Sequence, residues 1–199
     1  VTVTIDNLTP ANGISFAPLH IGFNNGSFDA FNLGQTAGEA IVSVAEGGAG
    51  GAWQAAFAAA DPTATRGTIL GVGGFPPLLP GQKSSQQFTV DTALNPFFTF
   101  ASMAVPSNDF FIGNDSPIAH QVLDAAGNLL IGSILQRASD IWDAGSELFD
   151  PANAAFVGDN DLRTPQNGVV SFNFAELAGF DGLLTGAGYV FMSGLAADT

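Results

Sequence analysis

The sequence predicts an all-β chain, an antiparallel β-sandwich with one or two short helices. Hydrophobic residues make up 46% of the 199 positions and charged residues only 11%, the opposite of a disordered chain. Phe dominates the aromatics, with 18 copies against 2 Trp and 1 Tyr, and with Val it suits half-buried strands. The 25 Gly and 11 Pro supply tight turns between the apolar segments. A chain of this length buries about two-thirds of its unfolded surface and needs no disulfide scaffold.

Residues 1–8 alternate β-branched and polar side chains and stop at Thr9-Pro10, which reads as a first strand and its turn. Residues 14–23 read as the second strand, closed by Asn24-Asn25-Gly26, residues that accept positive φ cheaply. Phe28, Phe31 and Leu33 follow in a loop expected to plug one end of the core. Residues 38–60 alone have helical character. Gly47, Gly48, Gly50 and Gly51 interrupt them, and that many glycines cost too much backbone entropy for one helix. Two short helices or irregular turns are therefore expected there, covering one edge of the sandwich and closed by Asp61-Pro62. Residues 68–72, 84–90, 97–105, 118–123, 129–135, 169–174 and 188–194 read as the remaining strands. About nine strands with regularly spaced turn signals are the pattern of an antiparallel sandwich. With no repeat of fixed period and no linker, residues 1–199 read as one domain.

The net charge is −14, from 18 acidic residues against four basic ones, Arg66, Lys83, Arg137 and Arg163. Such a surface repels phosphate backbones and anionic headgroups, so neither nucleic acid nor an anionic membrane is an expected partner. It attracts divalent cations. No apolar run reaches the length of about 18 residues that would span a bilayer. The lack of cysteine excludes disulfides, thiol catalysis, zinc–thiolate sites and iron–sulfur clusters without fixing a compartment. The opening Val1-Thr2-Val3-Thr4-Ile5 has the look of a mature chain after removal of a signal peptide, although a chain shortened at that point would look the same.

Catalytic signatures are missing. His20 and His120 are the only histidines, and no G-x-S-x-G elbow, H-E-x-x-H pair or P-loop occurs. His20 lies within an apolar strand as a core or edge residue, and alternation turns His120 towards water. Gly71-Val72-Gly73-Gly74 and Gly47-Gly48-Ala49-Gly50-Gly51 are followed by no Lys-Ser or Lys-Thr and read as turns. An enzyme is not expected.

Acidic loops carry more information. Asp140-Ile141-Trp142-Asp143-Ala144-Gly145-Ser146-Glu147 sets three carboxylates beside a glycine turn. Ca²⁺ takes about six to eight oxygens, and carboxylates and carbonyls of such a loop supply them; a merely solvated acidic loop is the plain alternative. Asp159-Asn160-Asp161 opens like an EF-hand loop but lacks the Gly and terminal Glu at the required offsets, so a turn is expected. Asn114-Asp115-Ser116-Pro117 is a turn sequence as well. In Ser102-Met103-Ala104-Val105-Pro106-Ser107-Asn108-Asp109-Phe110-Phe111-Ile112-Gly113 an apolar strand runs into Pro106, exposes Asn108 and Asp109, and returns to apolar residues. It is either a corner capped by Asp109 or a carboxylate held out from a rigid loop.

That last stretch resembles the S-M-x-x-P-S-x-D-W-F-x-G signature of the spondin domain. Asp143-Ala144-Gly145-Ser146-Glu147 resembles the D-A-G-T-D/E motif that follows it in the family. Pro80-Gly81-Gln82-Lys83-Ser84-Ser85-Gln86-Gln87-Phe88-Thr89-Val90 resembles the P-G-x-S…F strand that precedes it, and Gly26-Ser27-Phe28-Asp29-Ala30-Phe31 is similar to the G-S-F-D-x-F stretch of bacterial members. The likeness covers about residues 14–150, in the family's order. It implies a secreted, C2-like β-sandwich with one calcium ion on Asp109, Asp143 and Glu147. The departures are Phe110 for the family's Trp, Ser146 for its Thr and Glu147 for its last Asp. Absence of the vertebrate relatives' cysteines points to the bacterial branch.

Three functions follow as expectations. The first is a secreted calcium-binding module for adhesion or matrix contact, whose partner is an extracellular protein, a polysaccharide or a second copy. The next is a structural subunit of an extracellular fibre or sheath that assembles through strand edges, its N-terminal strand above all. The weakest is a hydrolase using the cation and His20.

Overall fold

A computed structural model describes residues 1–194. Nine strands occur among them: β1 (Thr2–Asp6), β2 (Ser15–Phe16), β3 (Leu19–Asn24), β4 (Thr65–Ile69), β5 (Lys83–Gln87), β6 (Phe97–Val105), β7 (Phe110–Gly113), β8 (Trp142–Asp143) and β9 (Ser171–Phe172). Two helices, α1 (Glu39–Gly47) and α2 (Gly51–Ala60), lie between β3 and β4. Every strand pair is antiparallel. The larger sheet runs β4-β3-β6-β7-β8-β9 with β2 also on β6, and β1-β5 form a second, two-stranded sheet. The all-β antiparallel sandwich is thus what the chain adopts.

Alternation on the central strands sorts their side chains into two apolar layers. Leu19, Ile21 and Phe23 of β3, Phe98, Phe100 and Ala104 of β6, and Phe110 and Ile112 of β7 belong to one. Val3 and Ile5 of β1 pack against this layer from the small sheet, joined by Phe174, Leu177, Phe180 and Phe191 from the C-terminal part. Ala101 and Phe111 point to the opposite layer, where they meet α1 and α2. There Ile41, Val44 and Ala45 form the buried stripe of α1, and Trp53 and Phe57 that of α2. Phe28 stacks on Phe57 at 4.2 Å and Phe31 stands edge-on to Phe111 at 4.9 Å, so both belong to this layer. Leu33 is 52% exposed and plugs nothing.

The helices therefore cover a face of the sheet and not the edge expected for them. Gly22 makes this contact close: a Cβ there would lie 2.1 Å from Phe57 Cε1. His20 is a core residue. Its Nδ1 meets Thr68 Oγ1 at 3.0 Å and its Nε2 meets the Gly48 carbonyl at 3.1 Å, between the two helices.

Other expectations need correction. The second strand is split at Ala17-Pro18, where the chain leaves β2 to begin β3. Residues 118–123 and 129–135 form only isolated bridges, Phe97 with Gln121 and Leu123 with Leu129, and residues 188–194 only Leu184 with Val190. Expected strand 68–72 lies earlier, as β4, and 84–90 and 169–174 shrink to β5 and β9. His120 is half-buried, stacked at 6.0 Å on Phe100, where water was expected. Among the described residues no helix is long and apolar enough to cross a membrane.

Candidate functional site

Asp109, Asp143 and Glu147 line one cavity of about 240 Å³, at the end of β7 and β8. The corner after β6 is closed by Ser107, whose Oγ donates to the Ala104 carbonyl at 2.6 Å and accepts from Phe110 N at 3.1 Å. Asn108 then clamps the loop opposite, accepting from Asp150 N at 2.9 Å and donating to its carbonyl at 3.3 Å. Both Asn108 and Asp109, expected on the surface, are buried, at 4% and 2% exposure.

Asp109 Oδ2 accepts from Ser146 N at 2.6 Å, Glu147 N at 3.0 Å and Ser146 Oγ at 3.2 Å. The corner aspartate thus holds the second motif by its own backbone, which unites the two readings of that stretch: it caps a turn and lines a cavity. Asp143, paired across β7–β8 with Phe110, accepts from Gly145 N at 2.7 Å and from Asn173 Nδ2 at 3.4 Å. Gly145 has φ +66°, and a Cβ there would sit 2.7 Å from the Val169 carbonyl. Residues 164–168 lie over this turn: Gly168 N donates to the Gly145 carbonyl and Gln166 N to the Ser146 carbonyl, both at 2.7 Å.

Glu147 is buried, with a side chain at 0% exposure. Arg163 Nε lies 2.8 Å from its Oε1 as an ion pair, yet neither carboxylate oxygen has a partner in hydrogen-bonding alignment among the described residues. Burial raises the Glu147 carboxyl to about 7, Glu46 adding to the rise and Arg163 opposing it. Burial likewise pushes Asp109 up to about 6, with the charge of Asp143 contributing and the Glu147 and Ser146 amides pulling down. Asp143 and Glu176 are raised as well, each chiefly by burial. Each of the four acids is thus pushed towards its neutral form.

Asn173, Glu176, Gln166 and Asn108 complete the polar lining, while Phe110, Leu148, Phe149 and Phe180 make its apolar part. Asn173 Nδ2 bonds Glu176 as well as Asp143. Sequence reasoning missed Glu176 and Asn173; an Asn-x-x-Glu spacing directly after β9 was the available signal. Asp140, counted with the acidic motif, does something else: its Oδ2 accepts from Arg137 N at 2.8 Å and caps the short 3-10 turn Ala138–Asp140. Asp159 caps the turn Asn160–Leu162 through Asp161 N, in keeping with the turn reading. Asn114 is more than a turn residue, accepting from Phe100 N at 3.0 Å.

The donor set suits a hard cation, since the side chains of four acids and of Asn108, Gln166 and Asn173 make the polar side of the cavity, with no sulfur or imidazole among them. The carboxylates do not converge into a ready coordination sphere: no group of three or more His, Asp or Glu among the described residues is arranged to hold a metal ion. The chemistry fits and the geometry is open. No family model and no curated protein matches the chain, so the spondin likeness rests on its motifs.

Proposed function

We propose that the protein is a calcium-binding β-sandwich module acting outside the cell, in adhesion or matrix contact, with Asp109, Asp143 and Glu147 as the cation's carboxylates. One observation carries this reading: buried acids gather in one cavity, and neither carboxylate oxygen of Glu147, which lines it, has a hydrogen bond among the described residues. A divalent ion supplies the charge that such a group lacks, and Glu176 stands beside it as a further oxygen donor. Loops from β6–β7, from β8 and from residues 164–176 meet there, so an ion would stiffen one end of the sandwich.

The test is thermal unfolding in chelator, in calcium and in magnesium, for the wild type and Asp143→Asn. A calcium-specific rise equivalent to about 2.7 kcal/mol at a hundredfold excess over Kd is expected, and it should vanish in the variant. Equal melting under all three conditions would leave the acids as buried charge without a ligand.

A second reading is favoured by one observation: β1 pairs only with β5, leaving its outer edge open among the described residues. Such an edge can add a strand from another copy, as in a fibre or sheath subunit. Removing residues 1–8 should then abolish assembly, and an unchanged particle size would dismiss it.

A further inference from the structure

The chain has four basic residues, and one of them, Arg163, is paired with Glu147 of this cavity. The Arg163 guanidinium is held at three points. Its Nε is 2.8 Å from Glu147 Oε1, its Nη2 is 3.2 Å from Glu46 Oε2, and its Nη1 donates to the Asn160 carbonyl at 3.3 Å. Glu46 lies in the last turn of α1, whose carbonyl in turn accepts from Asn160 Nδ2 at 3.1 Å. The Arg163 side chain is 35% exposed and that of Glu147 0%. Glu147 thus has a fixed cation on one side and the cavity on the other.

We propose that Arg163 is a tethered counter-ion that competes with a divalent cation for Glu147, and so sets the concentration at which the cavity fills. The proposal rests on the cation reading of the cavity. Without an ion, Arg163 neutralises a carboxylate that would otherwise be buried and unpaired, the arrangement that costs most. When a divalent ion enters, Glu147 must exchange partners, and the guanidinium repels the incoming charge. Glu46 makes the exchange feasible. It already holds Nη2 at 3.2 Å and does not line the cavity, so Arg163 keeps a carboxylate when Glu147 turns away. Filling the cavity would then shift the arginine's charge onto the C-terminal turn of α1.

The experiment is calcium titration calorimetry at fixed ionic strength on the wild type, Arg163→Gln and Arg163→Lys, at about pH 8, where the carboxyls are ionised. Arg163→Gln should bind about tenfold more tightly, because a competing charge is gone, and Arg163→Lys should stay near the wild type. Calcium binding by the wild type with equal or weaker affinity in Arg163→Gln overturns the counter-ion proposal and leaves the cation site standing. No binding by any of the three overturns both. The wild type gives a second readout that needs no variant: the Arg163 Nε–H resonance should shift and lose protection from exchange as calcium saturates the protein. A resonance unmoved at saturation also overturns the proposal.

Discussion

Without a cation, the protein should gain stability as the pH falls from about 8 to about 5, the reverse of ordinary acid denaturation. The perturbation is protonation of Asp109 and Glu147. Asp109 rises from 3.8 to about 6 and Glu147 from 4.5 to about 7, with burial the leading cause for both. Both folded values lie above the unfolded ones. The stability they confer is therefore complete below about pH 4 and is lost as the pH rises through 6 and then 7. At about 1.4 kcal/mol per pH unit, each group withdraws about 3 kcal/mol. Because Asp109 is itself among the causes that raise Glu147, the two overlap, and a combined loss of about 3–6 kcal/mol is expected. That is a large part of the stability of a typical domain.

The assay is urea unfolding across this range, in chelator and in excess calcium. In chelator the midpoint should fall as the pH rises; in calcium it should stay level, so the benefit of calcium grows with pH. The double variant Asp109→Asn/Glu147→Gln should lose most of this fall with rising pH in chelator. A wild-type profile in chelator that is flat to within about 1 kcal/mol, or that rises with pH, would refute the claim that these carboxylates are buried at a cost.

His20 gives the opposite slope. Burial lowers its pKa below 6.5, so its contribution is present above that value and is lost as the pH falls. In the Asp109→Asn/Glu147→Gln background, urea midpoints should drop on acidification below pH 6.5, and adding His20→Gln should remove the drop. Gly22→Ala should cost about 3 kcal/mol in urea unfolding by driving a methyl into the Phe57 ring; a cost under about 0.5 kcal/mol would mean that α2 can back away. Calcium should slow hydrogen exchange at Trp142 and Phe172 while leaving Ile21 and Phe100 unchanged, because only the first pair belongs to the strands beside the cavity. Uniform slowing would indicate general stabilisation instead of ordering at one edge.

Legibility in the sequence followed burial. Strand β6 occupies the residues expected for it, since an apolar run of that length with Gly-free alternation can be buried on both faces in only one way. Residues 118–123 and 129–135 carry similar hydrophobicity and failed as strands. Ile118, Leu129, Leu130 and Leu135 are all more than half exposed, so their apolar character is not spent on pairing. Strands β8 and β9 are two residues each, too short for any period to register. At the cavity, Asp109, Asp143 and Glu147 were singled out by the resemblance of their two motifs, each of which is local in the sequence. Arg163 and Glu46 reach Glu147 only through a chain of ion pairs from beyond residue 160 and from α1, and a convergence of that kind leaves no mark on spacing.

The position of the cavity follows from how the sheet weakens across its width. β3 and β6 share a ladder of five residue pairs, β7 and β8 share two, and β8 and β9 share two. Where backbone pairing runs out, side chains take over. Asp109 holds the turn after β8, Asn108 holds residue 150, and Asn173 ties β9's exit to Asp143. Trp142 spans the same gap, donating to the Gly113 carbonyl at 2.9 Å and stacking on Phe172 at 4.0 Å. Two of these ties end on carboxylates of the cavity, so the charge state of the cavity bears on the order of the sheet's last strands. Burial favours the neutral acids there, while the hydrogen bonds that Asp109 and Asp143 accept favour the charged form.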